Sequence, residues 1–236
     1  MNNIFNDFQQ QFTPKSIEEI VFSDGDTREL IEDLVHGYRP FPVREGKCGI
    51  LLYGVPGTGK SALAKILPDA IEQARGGTNA YETYLRVQPN SNDMETIGNL
   101  SQAAMLVPFA TYNYFILDEV DGLTDKAMSV LKSAMNYPKS VWIFTTNNFN
   151  KIEAGVKDRC YCIPFNAAPA AHWLPLARKI LAHSGIGGVS DSQLEAVIAP
   201  CNGSARNIVD AIVGLALKAH RQQAKLLLPL ISEHTL

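Results

Sequence analysis

Two short stretches hold residue types that handle phosphate and water. The first is Gly54-Val55-Pro56-Gly57-Thr58-Gly59-Lys60-Ser61, which fits the pattern G-x-x-x-x-G-K-[ST]. Its glycines permit φ angles that other residues resist, so several backbone N–H groups can converge on one anion. Lys60 supplies a cation for the outer phosphates of a nucleotide, and Ser61 a hydroxyl ligand for Mg2+. The second is Tyr114-Phe115-Ile116-Leu117-Asp118-Glu119, an apolar strand pattern ending in two carboxylates. Neighbouring strand residues face opposite sides, so the two acids are expected to divide the work. Asp118 is expected to hold Mg2+ through its water shell, and Glu119 to orient and polarise an attacking water. A glycine loop alone could bind nucleotide without consuming it; with the acid pair downstream, hydrolysis is the expectation.

The elements around these stretches give each the setting its chemistry requires. Residues 48–53 form a short apolar run, read as a buried strand, and lead directly into the glycine loop. A helix is expected from Lys60, with its positive N-terminal end toward the bound anion. Pro68 lies inside that helix and should kink or break it, because proline lacks a donor and clashes with the preceding turn. Further strands are expected at 81–87, 112–120, 141–146 and 161–165. Helices are expected at 27–38, 93–106 and 124–136, with Thr124 a candidate N-cap. Strands alternating with helices imply an α/β fold with a mostly parallel sheet covered on both faces. After Phe165 the pattern turns wholly helical, at 169–184, 191–199 and 204–220. The expected organisation is a nucleotide-binding core over 1–165, a helical lid over 166–220 and a C-terminal tail over 221–236.

Bulk properties narrow the classes. The chain has 236 residues, 46% hydrophobic and 19% charged, as expected of a globular protein rather than a disordered one. The formal charge of -3 provides no general attraction to nucleic acid. No apolar run approaches the roughly 20 residues needed to span a bilayer, and the polar, amide-rich start has no signal-peptide pattern, so a cytoplasmic protein with no membrane association is expected. Cys48, Cys160, Cys162 and Cys201 do not form paired CxxC clips. They are read as buried apolar residues rather than zinc ligands.

With these motifs in place the sequence resembles the AAA+ ATPases, and within them the clamp-loader branch of replication factor C-type subunits and their phage counterparts. The matching stretches are GVPGTGKSALAK (54–65), ILDEVDGLT (116–124), TTNNFNKIEAGVKDRC (145–160) and GSARNIVD (203–210). The third is the most specific, since a polar sensor at the fourth core strand is followed at this spacing by Ser-Arg-Cys in clamp loaders and by Asp158-Arg159-Cys160 here. The resemblance implies a three-layer core with a five-stranded parallel sheet, a small all-α lid, and ATP with Mg2+ as cofactors. It implies that Asn147, or its neighbour Asn148, senses the γ-phosphate or the attacking water. It implies that Arg159 is an arginine finger acting on ATP in the next subunit, and that Arg206 reaches from the lid to the phosphates of its own subunit. Residues 12–22 resemble the segment that runs past the adenine.

Two departures shape the expected function. Clamp-loader subunits continue into a third, helical collar domain, which the last 16 residues cannot form. Clamp loaders also line their DNA channel with basic residues, whereas no Lys or Arg occurs here between Arg86 and Lys126. Lys126 and Lys132 remain as candidates, although a solvated helix face is the stronger reading for both. The expected protein is a clamp-loader-like ATPase working in a homo- or hetero-oligomeric ring or partial ring, with a protein partner. It would couple ATP to assembly or remodelling of a replication, repair or mobile-element DNA complex, while binding DNA only weakly on its own. The alternative is a protein remodeller or helicase-loader-like adaptor without direct DNA contact. A third reading is a switch in which ATP is mainly glue between subunits.

Overall fold

A computed structural model describes residues 11–232, with side chains described as far as residue 222. These residues divide into two compact units, one spanning 14–166 and the other made of 11–13 with the helical stretch from 167 onward.

The first unit is built on five strands: β1 (Gly49–Tyr53), β2 (Glu82–Arg86), β3 (Asn113–Asp118), β4 (Ser140–Thr146) and β5 (Cys160–Pro164). They stand in the order β2-β3-β4-β1-β5, and every neighbouring pair is parallel. Its helices are α1 (Gly25–His36), α2 (Lys60–Ala74), α3 (Met94–Ala104), α4 (Asp125–Ala134) and the short α5 (Ala154–Asp158). The period of two in the strands sorts their side chains to two cores. Ile50, Leu52, Tyr114, Ile116, Val141 and Ile143 meet Leu63, Leu67 and Ile71 of α2 on one face. Leu51, Phe115, Leu117, Trp142 and Phe144 meet Met128 and Leu131 of α4 on the other. β2 is an edge strand, and its residues are mostly exposed. Asp24, Asp93 and Thr124 cap α1, α3 and α4, each accepting from the backbone N–H three residues on.

Pro68 does not interrupt α2, contrary to the sequence expectation of a kink or break: the helix runs through it for all 15 residues. Proline inside a helix costs about 3 kcal/mol. Against that, Leu63, Ala64, Leu67 and Ile71 of the same helix are fully buried, and each large apolar side chain so buried contributes about 1.5–3 kcal/mol. The packed face outweighs the missing hydrogen bond.

The second unit contains α6 (Leu174–His183), entered through the 3-10 turn Ala170–Trp173, then α7 (Asp191–Ile198) and α8 (Ala205–Ser232). Residues 11–13 group with these helices rather than with the sheet unit: Phe12 is buried, its ring lies edge-on to His183, and Gln11 hydrogen-bonds the same ring. The helix expected to end at His220 continues to Ser232, so the described part of the 221–236 stretch is helical. Residues 233–236 of the expected tail lie outside the described residues. Among the described residues, no helix is long and apolar enough to cross a membrane.

Candidate nucleotide and metal site

The glycine loop leaves the C-terminal end of β1 and closes on the start of α2. Gly54 has φ 141°, and a Cβ there would lie 2.7 Å from the carbonyl oxygen of Phe165. Gly57 and Gly59 also have positive φ, at 86° and 105°. The loop therefore has a shape that side chains at these positions would oppose. Thr58 is buried, and its hydroxyl donates to the Val55 carbonyl at 3.1 Å. Lys60 is the first residue of α2 and is 6% exposed. Its ammonium donates to the carbonyl oxygens of Gly54 at 2.9 Å and Val55 at 2.6 Å. Burial pushes the Lys60 ammonium down to about 8, against the opposing pull of Asp118 and Asp121. A partly desolvated cation of this kind gains strongly from a polyanion.

Asp118 ends β3 beneath this loop. Its Oδ1 accepts from the Ser61 hydroxyl at 2.7 Å and also from the Thr145 hydroxyl. Its Oδ2 accepts from the Tyr84 hydroxyl at 3.0 Å. Thr145 further accepts from the backbone N–H of Glu119 at 3.1 Å, so one hydroxyl ties β4 to both acids. Burial, and then the charge of Asp118, push the Tyr84 phenol up to about 12. The chain thus brings Lys60, Ser61 and Asp118 together.

Glu119 differs from the strand-alternation picture. β3 stops at Asp118, and Glu119 sits beyond it in the left-handed region, at φ 61° and ψ 45°. Its carboxylate pairs with the Arg86 guanidinium at 2.8 Å. The separation of the two acids therefore comes from a turn, not from strand pleating. Asn147 and Asn148 follow β4 and are both exposed. Thr146, just before them, lies opposite Tyr53 in the sheet, and its carbonyl accepts from the N–H of Gly54. The segment bearing Asn147 is thus attached to the root of the loop.

The two arginines lie elsewhere. Arg159 follows α5 and precedes β5, with its guanidinium held by Asn136 Oδ1 at 3.0 Å and the Gly155 carbonyl at 2.8 Å. Its backbone carbonyl accepts from the N–H groups of Cys48 and Gly49, at the opposite end of β1 from the glycine loop. Arg206 is exposed on the first turn of α8, in the helical unit.

Sequence reasoning missed Tyr84, Arg86 and Thr145. Thr145 carried a faint signal, a polar residue near the end of an otherwise apolar strand. Tyr84 and Arg86 depend on β2–β3 register, in which Arg86 lies opposite Asp118, and nothing local in the sequence encodes that.

The donors fit a nucleotide with a divalent ion. Hydroxyl and carboxylate oxygens are hard ligands, and they adjoin a buried cation and a loop open to backbone N–H donation. Among the described residues, no group of three His, Cys, Asp or Glu could hold a metal.

A parallel sheet in this order, with a glycine loop after β1 and an acid at the end of β3, defines a P-loop nucleotide-binding fold. Residues 50–164 match the family model of the ATPase family associated with various cellular activities, AAA. No curated protein sequence matches the chain. Among solved structures it is similar to the RuvB Holliday junction branch migration motor of Thermotoga maritima. The TM-score is 0.65 at 15% identity, over 84% of this chain and 63% of that one. A single-site mutant of that RuvB gives a TM-score of 0.66 at 15% identity, over 85% and 64%. At such identity the likeness establishes the fold. This chain spans less than two thirds of the length of those RuvB chains.

Proposed function

We propose that the chain is a Mg2+-dependent ATPase that works as one subunit of an oligomer. In the manner of a clamp loader, it couples ATP to assembly or remodelling of a replication, repair or mobile-element DNA complex. The observation that carries the ATPase reading is the convergence of Ser61 and Thr145 on Asp118, under the buried Lys60, with Glu119 next in the chain. Lys60 and the loop N–H groups bind the phosphates and fix the outer one in place. Ser61 and Asp118 would hold Mg2+, which, when bound, neutralises charge on the phosphate oxygens. Glu119, once free of Arg86, orients the attacking water and draws on its proton. Asn147 acts as the sensor beside that water. Its support is its position directly after β4, whose last residue is bonded to the loop. Arg159 serves a neighbouring subunit, and Arg206 acts from the helical unit.

The alternative, a protein remodeller without direct DNA contact, draws on two observations. Lys132, one of the two basic candidates for a DNA face, is engaged in an ion pair with Glu153. Met105, Leu106, Val107 and Phe109 form a run of exposed apolar side chains, with Phe109 at 91% exposure, and contiguous exposed apolar surface is a mark of protein contacts. The fold likeness to RuvB leaves motor action on DNA junctions as a weaker third reading, since it rests on architecture alone.

Two variants test the ATPase reading. Lys60→Ala should abolish nucleotide binding in a calorimetric titration. Glu119→Gln should keep ATP and Mg2+ while turnover falls by about 10²-fold or more, the scale of losing a water-orienting group. Unchanged affinity in the first variant would remove the site from this loop, and unchanged turnover in the second would remove the water-orienting role from Glu119. Recovering the native complex with Glu119→Gln, which retains ATP, then separates the partner readings: DNA-containing complexes support the clamp-loader form, and protein-only complexes the remodeller.

A further inference from the structure

We propose that Tyr84 is a positioning residue for the metal-binding carboxylate: its hydroxyl holds the Asp118 oxygen that Ser61 and Thr145 do not reach. This rests on the metal role given above to Asp118. A carboxylate at the end of a strand can turn about its last side-chain bond, and a ligand that turns binds a metal poorly. Asp118 is 6% exposed, with two hydroxyls donating to Oδ1 and Tyr84 donating to Oδ2 at 3.0 Å. Donors on both oxygens fix the carboxylate plane, and partners of this kind orient a metal ligand and set its basicity.

Three features argue that Tyr84 is there for Asp118 rather than for packing. It lies on the edge strand β2, is 41% exposed, and belongs to neither hydrophobic core. Its ring is held from above by the Lys65 ammonium, 4.4 Å from the centroid. Lys65 is four residues beyond Ser61 on α2, on the same helix face. The helix that begins at the glycine loop therefore bears on Asp118 twice, directly through Ser61 and indirectly through Lys65 and the Tyr84 ring. A phenol on a solvent-facing edge could have satisfied its hydroxyl with water. Here it is spent on a buried carboxylate two register positions away, since Arg86 and not Tyr84 is the residue opposite Asp118.

The full chain tests this through binding, with a fluorescent ATP analogue as the probe. In excess EDTA, Tyr84→Phe should bind the analogue as tightly as the native protein, which also shows that the loop is folded. On titrating Mg2+, the midpoint for metal-enhanced binding should move up by about tenfold, the low end for loss of a ligand's orienting partner. Direct Mn2+ binding to the nucleotide complex, followed by electron paramagnetic resonance, should weaken by the same factor. Lys65→Met should shift the midpoint in the same direction by less. A Tyr84→Phe midpoint equal to the native one, or lower, overturns the proposal. Asp118→Asn separates its failure from that of the site. If Asp118→Asn also keeps the native midpoint, the metal role of Asp118 is wrong and the proposal falls with it. If Asp118→Asn loses the Mg2+ response while Tyr84→Phe keeps it, the positioning role alone is wrong.

Discussion

Glu119 is held in a costly backbone conformation and its side chain is engaged by Arg86. A non-glycine residue in the left-handed region costs about 1 kcal/mol or more, and Glu119 sits there at φ 61°. Its partner Arg86 is 55% exposed and Glu119 itself 43%, and an ion pair that open is screened by solvent and holds only weakly. A bound nucleotide or a neighbouring subunit can therefore release the carboxylate at small cost. Arg86→Ala should raise the basal turnover of the isolated chain modestly, with nucleotide affinity unchanged. Phosphate release at saturating ATP measures it, and a fall in turnover would mean that Arg86 assists the reaction. The cysteines offer a second check at this scale. Burial pushes the Cys48 thiol up to about 11 and the Cys160 thiol well above its usual range. A raised thiol pKa means less thiolate at a given pH, so both should stay unreactive to a thiol reagent at mildly alkaline pH in the native protein. Cys162 and Cys201, each only partly buried, should label first. In denaturant all four should react. Rapid native labelling of Cys160 would contradict the packing around β5.

At the scale of elements, the sheet unit depends on a buried carboxyl far from the nucleotide. Glu72, in the last turn of α2, is 1% exposed. It accepts from the backbone N–H groups of Thr111 at 3.1 Å and Tyr112 at 3.3 Å and from the Tyr114 hydroxyl at 2.8 Å. It thus ties the end of α2 to the start of β3, the two elements whose other ends carry Ser61 and Asp118. Glu72→Ala would leave the buried Tyr114 hydroxyl without a partner, at about 1–3 kcal/mol, while the N–H groups of exposed Thr111 and half-buried Tyr112 can turn to water. Urea unfolding should show a loss of about 1–3 kcal/mol, with the Mg2+ response weakened in the fraction that remains folded. A loss below about 1 kcal/mol, the scale of a single ordinary hydrogen bond, would mean the tie is dispensable. The same elements show what the sequence could convey. The loop residues 54–61 and the strand ending in Asp118 were legible because their signals are local: glycines at fixed spacing, then apolar residues before acids. Tyr84, Arg86 and Thr145 were not, because their positions depend on which strands pair and in what register. Pro68 misled for a related reason. Its local cost was readable, while the buried face that outweighs it is a property of the folded sheet.

On the scale of the whole molecule, the position of Arg159 argues for a site shared between chains. The Arg159 carbonyl is bonded at the start of β1 and the glycine loop leaves its end. Five residues of strand separate them, roughly 16 Å at about 3.3 Å per residue. The guanidinium is moreover held locally by Asn136 and Gly155, pointing its charge at its own end of the sheet. An arginine that stabilises charge on a transferring phosphoryl group must reach that group, so on this reading Arg159 serves the ATP of an adjacent subunit. Specific activity should then rise with protein concentration or on adding a partner ATPase. Arg159→Ala should bind ATP normally and lose about 10³-fold in turnover, the low end for a finger supplied in trans. The deciding measurement mixes two inactive proteins, Lys60→Ala and Arg159→Ala. In mixed oligomers some interfaces join an intact glycine loop to an intact Arg159, and activity should partly return. Mixed oligomers seen by native mass spectrometry with no recovery would show that Arg159 supports only its own subunit, where its bonds to Asn136 and Gly155 would be its whole role. A chain that remains monomeric with ATP would instead make the composite site a hetero-oligomeric one, and recovery should then appear only when the partner ATPase supplies the missing face.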